Sequence, residues 1–250
     1  MKRWLYIGGG VIIVVVILVA IGLYFLLSSL DSIVKAAVEK YGSDMTQAAV
    51  RLDDVKIELT SGKGALRGLT AGNPPGFKSE RALRLGEISL ELDVGSVTKD
   101  TIVIKQISIT APEVTYEYGL KGSNIDALRR NVAAYTAQEK KEAAAPKEEK
   151  GKKMVIEHLY IRGGRVNVAA TELPGKTAGA SLPDLHLTDI GKKTGGATAG
   201  EVAEQVLAAI GQAAARAAAT TDVAKLVGSV TGGVGEAAKG TGETLKKFFK

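Results

Sequence analysis

Residues 86–118 read GEISLELDVGSVTKDTIVIKQISITAPEVTYEY. Ile88, Leu90, Leu92 and Val94 alternate with Ser89, Glu91 and Asp93. Ile102 and Ile104, then Ile107 and Ile109, then Val114, Tyr116 and Tyr118 continue the pattern. Period two sends successive side chains to opposite faces of an extended strand, so each strand has one apolar and one polar face. The β-branched residues that dominate suit a pleated, half-buried surface. The phase slips at Gly86-Glu87 and again at Lys105-Gln106, and a one-residue slip marks a bulge or a short break. Upstream, Val55, Ile57 and Leu59 alternate with Lys56 and Glu58, and Ser61-Gly62-Lys63-Gly64 reads as a hairpin turn returning through Ala65, Leu66 and Leu69. Asn73-Pro74-Pro75-Gly76-Phe77 is a stiff turn that no central strand accommodates. The whole predicts an antiparallel sheet with one continuous apolar face.

In front of the sheet, Trp4 to Leu30 contains no charged residue. About 20 apolar residues cross a bilayer as a helix, so residues 1–30 read as a transmembrane anchor. Trp4, Tyr6 and Tyr24 fit the interfaces, and Lys2-Arg3 before the run places the N-terminus in the cytoplasm. A cleaved signal peptide is the competing reading, with a shorter apolar region of about 7–15 residues. Residues 31–51 follow as a juxtamembrane helical segment, with Ser32 as its cap and Gly42 as its stop.

Residues 52–136 form the first β-rich unit. It closes with a helix over 123–136, opened by Ser123-Asn124-Ile125-Asp126 at capping-box spacing and striped by Ile125, Leu128, Val132 and Tyr135. Residues 137–153, nearly all Ala, Lys, Glu and Gln with one Pro, read as a solvated linker. Residues 154–193 read as a second, weaker β block. Val155 to Val168, broken at Gly163-Gly164, parallels Ile102 to Tyr118, broken at Ala111-Pro112, as a repeated unit would.

Residues 194–250 shift to Ala, Gly, Thr and Val. Val202, Val206, Leu207 and Ile210 give a helix face. Beyond it, Val223, Val227, Val230, Val234 and Leu245 step at helical spacing toward Lys246, Lys247, Phe248 and Phe249. Such a tail suits a membrane surface; packing on the sheet or disorder are its alternatives.

Composition sets outer bounds. The chain has 250 residues, 45% hydrophobic but only 5% aromatic, with no Cys and a net charge of +6. Thiol and disulfide chemistry are excluded. Basic and aromatic residues are not interleaved, so nucleic acid is not an expected partner. The two histidines, His158 and His186, have no second His at helical spacing, and Asp184-x-His186 reads as structural. Ser61-Gly62-Lys63-Gly64 lacks the spacing of a phosphate loop. No enzyme, metal or cofactor is expected.

Val50 to Asn131 resembles the N-terminal repeat of bacterial AsmA-like proteins. The matching run is Gly68-Leu69-Thr70-Ala71-Gly72-Asn73-Pro74-Pro75-Gly76-Phe77. It continues through Val94-Gly95-Ser96-Val97, Ile102 to Ile107, Ala111 to Glu117 and the Ser123-Asn124-Ile125 helix opening with Leu128. The resemblance implies a curved antiparallel sheet, shaped as a groove or half-barrel, in a periplasmic protein held in the inner membrane and related to groove-shaped proteins of phospholipid movement and outer-membrane assembly. Partners implied are the inner membrane, phospholipid and longer envelope proteins. The chain is short for that group: strands about 4.8 Å apart make a ten-strand sheet on the order of 50 Å long, too short to bridge two membranes.

The expected function is envelope or lipid homeostasis, by acyl-chain binding on the apolar face or by support of a transport partner. In a groove, Ile57, Leu59, Leu90, Leu92, Ile107, Ile109, Val166 and Val168 would meet the chains. The same residues would form an ordinary core if a helix covers them, leaving an anchored scaffold without ligand.

Overall fold

The computed structural model describes residues 29–119, 122–143, 152–171 and 177–220. Residues 1–28 of the expected 1–30 anchor, residues 144–151 of the 137–153 linker and the tail with Val223 to Phe249 lie outside them. Among the described residues no helix is long and apolar enough to cross a membrane.

The fold is α+β: a curved, half-barrel sheet and three helices. Helix α1 spans Leu30–Thr46. Then come β1 (Val50–Arg51), β2 (Asp54–Glu58), β3 (Lys63–Ala71), β4 (Leu83–Leu92), β5 (Thr101–Thr110), β6 (Glu113–Gly119) and β7 (Gly122–Ser123). Helix α2 spans Asn124–Ala143. Strands β8 (Lys153–Arg162), β9 (Gly164–Ala170), β10 (Thr177–Leu182) and β11 (Leu185–Ile190) precede α3 (Ala199–Ala219).

Most of these strands are halves of longer ones. β1 and β2 pair with β3 in one unbroken register, from Val50 opposite Ala71 to Glu58 opposite Lys63. β6 and β5 likewise share one register along β4. β8 runs beside β5, and β9 beside β6, each residue lying next to the one 52 positions earlier: Thr101 by Lys153, Tyr118 by Ala170. β10 and β11 together cover β9 and β8. Extending each register across its gap sets Asp53, Gly68, Gly86, Ala111, Gly163 and Pro183 in one row across the sheet. The strands all bend along this row. Gly68, Ala111 and Gly163 adopt positive φ (64°, 49° and 65°), the conformation that re-aims a strand at a bulge. Gly68 also lies so close to Asp53 that a Cβ would fall 1.9 Å from its carboxylate oxygen.

This row accounts for the phase slip at Gly86. The second slip, unlike the first, is a bulge, since Glu91 faces Gln106 and Leu92 faces Ile104, leaving Lys105 unpaired. The two blocks read as a repeat do lie side by side, with Ala111 next to Gly163. One expectation is corrected: the sheet is mixed, not antiparallel. β5–β6 and β8–β9 run parallel. A parallel neighbour requires a long crossover, and the chain from β6 through α2 to β8 supplies it.

The free edge of β1–β2 is capped by α1. Every fourth residue on one helix face reaches it. Asp31 Oδ1 accepts from the Ile57 amide (3.0 Å), Lys35 Nζ donates to the Asp53 carbonyl (2.9 Å), Glu39 Oε1 accepts from the Leu52 amide (3.0 Å), and Ser43 Oγ accepts from the Val50 amide (2.9 Å). Sealing an edge this way removes a template for unwanted strand pairing. Gly42 does not stop the helix, as its sequence suggested; it brings α1 close to β1, with Val50 Cγ1 3.0 Å from where a Cβ would sit. The helix ends instead at Gln47, in left-handed conformation, and Ser29 rather than Ser32 stands at its start. Glu39→Ala should cost about 1–2 kcal/mol and speed hydrogen exchange at the Leu52 amide. Unchanged exchange there would mean that the ladder is not holding the edge.

Helix α2 begins where expected, with Ser123 Oγ accepting from the Asp126 amide (3.1 Å). It runs further than expected, to Ala143, into the segment read as linker. α3 supplies the polar partners that a solvated linker would lack. Lys140 Nζ meets Glu201 at 2.8 Å, and Thr198 Oγ1 donates to Glu139 at 3.0 Å. Thr198 and Glu201 form the capping box that starts α3. The two helices pack antiparallel, Gly200 lying where a Cβ would be 2.7 Å from Thr136 Oγ1.

Candidate functional site

The apolar face of the sheet is covered unevenly. α2 and α3 approach β6, β9 and β10 most closely, and α1 approaches β1 and β2. Under α2 and α3, Val114, Ile125, Leu128, Val132, Ile156, Ile161 and Val166 are fully buried in one cluster with Leu207 and Ile210. Under α1, Leu52, Val55 and Leu66 form a second, smaller cluster with Val34 and Val38. Between them lies the outer stretch of β4 and β5, where Leu90 pairs with Ile107 and Leu92 with Ile104. All four of these side chains, with Ile102, are only half-buried.

The structure thus divides the eight residues expected to line a groove. Val166 (0% exposed), Val168 (1%) and Ile109 (4%) are core. Ile57 and Leu90 are half-buried beside the α1 cluster. Leu92 is half-buried on the open stretch, and Ile107, beside it, is half-buried at the edge of the large cluster. Leu59 is exposed, 44%, in the β2–β3 turn.

α1 and α2 touch near the inner end of the sheet, where Asn131 Nδ2 donates to the Thr46 carbonyl at 2.8 Å. Toward the outer end, α1, α2, the start of β8 and the start of α3 enclose a cavity of about 560 Å³, whose lining includes Tyr41, Met45, Tyr135, Glu139, Lys153 and Glu201. Its volume lies within the roughly 300–1,000 Å³ of small-molecule sites. Burial pushes the Tyr135 phenol up, and the Glu139 carboxylate adds to this, so Tyr135 stays a neutral hydrogen-bonding group. Lys140 is held above its ordinary value by Glu201. Tyr41 and Tyr135 were visible in sequence only as members of helical stripes; that the two stripes face one gap follows from the packing of α1 on α2.

The same outer end carries exposed apolar side chains. Leu59, Val94 (47%) and Val97 (38%) stand there, and Ile33 (49%) lies on the first turn of α1. Gly62 of the β2–β3 turn abuts Val94, and Asp31, next in chain to the start of α1, binds Ile57. Lys63, Lys99, Lys152 and Lys153 are exposed around this rim.

At the opposite end, the Asn-Pro-Pro-Gly-Phe loop is fastened by buried polar groups. The Glu117 carboxylate, 1% exposed, accepts from the Lys78 amide (2.9 Å), the Ser79 amide (2.7 Å) and Thr171 Oγ1 (2.6 Å). Asn124, fully buried, accepts from the Glu117 and Ile125 amides and donates to Asn73 Oδ1 and the Thr115 carbonyl. Burial alone would raise the Glu117 carboxyl; hydrogen bonds from Ser79, Thr171 and Lys78 outweigh it and hold the group below its ordinary value. Its bonds are those of a clamp on the loop.

No family model matches the chain, and no curated protein or solved structure matches it. Among the described residues no group of three or more His, Cys, Asp or Glu is placed to hold a metal ion.

Proposed function

We propose that this protein is held in the inner membrane by the anchor over residues 1–30, lies in the periplasm, and binds a phospholipid acyl chain on the open stretch of its sheet, as a non-catalytic protein of envelope lipid homeostasis. One observation carries the reading: the open apolar stretch lies at the same end as the start of α1 and the exposed rim of Ile33, Leu59, Val94 and Val97. The chain leaves the uncharged run at that end, so the rim faces the bilayer surface and the groove opens toward its source of acyl chains. Rim lysines add attraction to an anionic leaflet, each on the order of 1 kcal/mol. The order of AsmA-like motifs over Val50 to Asn131 agrees with this placement, and longer envelope proteins are the partners it implies.

Lipid extracted from the purified full-length protein and weighed by mass spectrometry tests the reading. Wild type should retain more phospholipid than Ile104→Glu, a variant that leaves the uncharged run untouched. Equal lipid in both, with both folded, would favour the rival reading of an anchored scaffold without ligand, which the closed half of the face supports.

A further inference from the structure

The two histidines of the chain, 28 positions apart in sequence, meet on the polar face of the sheet. His158 lies on β8 and His186 on β11, and His158 Nδ1 stands 3.1 Å from His186 Nε2. Both are exposed. Nothing in the lipid-binding reading uses them.

The pair is held by its surroundings. Tyr160 stacks on His186 with ring centroids 4.2 Å apart, and the Arg162 guanidinium covers Tyr160 at 4.1 Å. These contacts fix the His186 ring from one side. β8 slips phase at Glu157-His158, so Glu157 and His158 are both exposed instead of alternating. Asp189, bound to Lys192 at 2.8 Å, lies close enough for His158 to act on its charge. Two imidazole nitrogens at hydrogen-bond distance, one ring held by a stacked tyrosine, are a setting for a positive ion.

We propose that His158 and His186 form a two-imidazole site for a divalent transition ion of the Zn²⁺ or Cu²⁺ class, with water in the remaining positions. Two nitrogens bound at 2.0–2.1 Å to one tetrahedral ion stand about 3.3 Å apart, and the observed 3.1 Å needs only a small ring adjustment. Imidazole suits these ions, whereas Mg²⁺ and Ca²⁺ prefer oxygen. The ion would sit where the two ring nitrogens now face each other. Two protein ligands make an open site, with coordination positions free for a further donor.

The test uses the full-length protein in detergent without a polyhistidine tag. Titration with Zn²⁺ should show one ion per chain, weakened at least tenfold in His158→Ala and in His186→Ala and lost in the double variant. Cu²⁺ should give an electron paramagnetic resonance spectrum with coupling to two imidazole nitrogens. Both side chains are exposed, so melting temperatures should not move; if an alanine variant unfolds, His186→Asn replaces it. Binding that persists unchanged in the double variant, a copper spectrum without imidazole coupling, or no binding to wild type would each overturn the proposal.

Discussion

Ile109→Glu should abolish the cooperative unfolding transition, while Leu92→Glu should leave a folded protein that has lost its lipid. The two residues lie on the same apolar face, on neighbouring strands, and sequence alone treats them alike. Ile109 is 4% exposed and packs in the cluster under α2 and α3. A carboxylate there is unpaired and far from water, a cost on the order of 5 kcal/mol or more, comparable to the whole stability of a typical domain. Leu92 ends β4 beside Asp93 and the open rim, half-buried. A glutamate can turn its head to water there, so the loss is about 1–2 kcal/mol of apolar burial. Thermal melts followed by circular dichroism separate the cases. A cooperative melt in both variants would show that the face is open throughout, and loss of it in both would show that it is closed throughout.

Glu117→Gln should destabilise by about 3 kcal/mol, because an amide keeps one acceptor where the carboxylate had two and turns a donor toward one of the two amides, Lys78 or Ser79, that the two oxygens accept from. For a chain of this size that is about 6–12 °C in melting temperature. The effect depends on pH in a fixed direction. The Glu117 carboxyl is held below its ordinary value in the fold, so its stabilisation is complete above the ordinary glutamate value of about 4.3. It is lost as pH falls through the lower folded value. The gap between wild type and variant should therefore be wide at pH 7 and shrink below about pH 4. A gap independent of pH would mean that the charge of Glu117 does not hold the loop.

The period-two stretches were legible in sequence, because a half-buried strand must alternate, and so were the slips at Gly86 and Lys105. The bend was not. Ala111-Pro112 and Gly163-Gly164 look like the ends of hairpin strands, since a turn and a bulge use the same residues. Only the partner strand's register shows that each long strand continues through its corner. The parallel join of β5–β6 to β8–β9 was hidden for a related reason: alternation reports which face a side chain takes, not which way its neighbour runs. Gly42 read as a helix stop because local propensity favours that, and the contact with Val50 overrides it. The extension of α2 to Ala143 depends on Glu201 and Thr198, more than fifty residues later, and no local signal carries it. The His158–His186 pair was equally out of reach, because ligands on adjacent strands share no fixed spacing.

For the groove, the most direct measurement is photo-crosslinking from inside it. Benzoylphenylalanine would replace Ile104 on the open apolar stretch in one full-length protein and Tyr160 on the polar face in another. After irradiation in native membranes, phospholipid attached at position 104 and absent at position 160 is the result expected of an acyl chain lying between α1 and α2. Crosslinks at neither position, or equally at both, would contradict it.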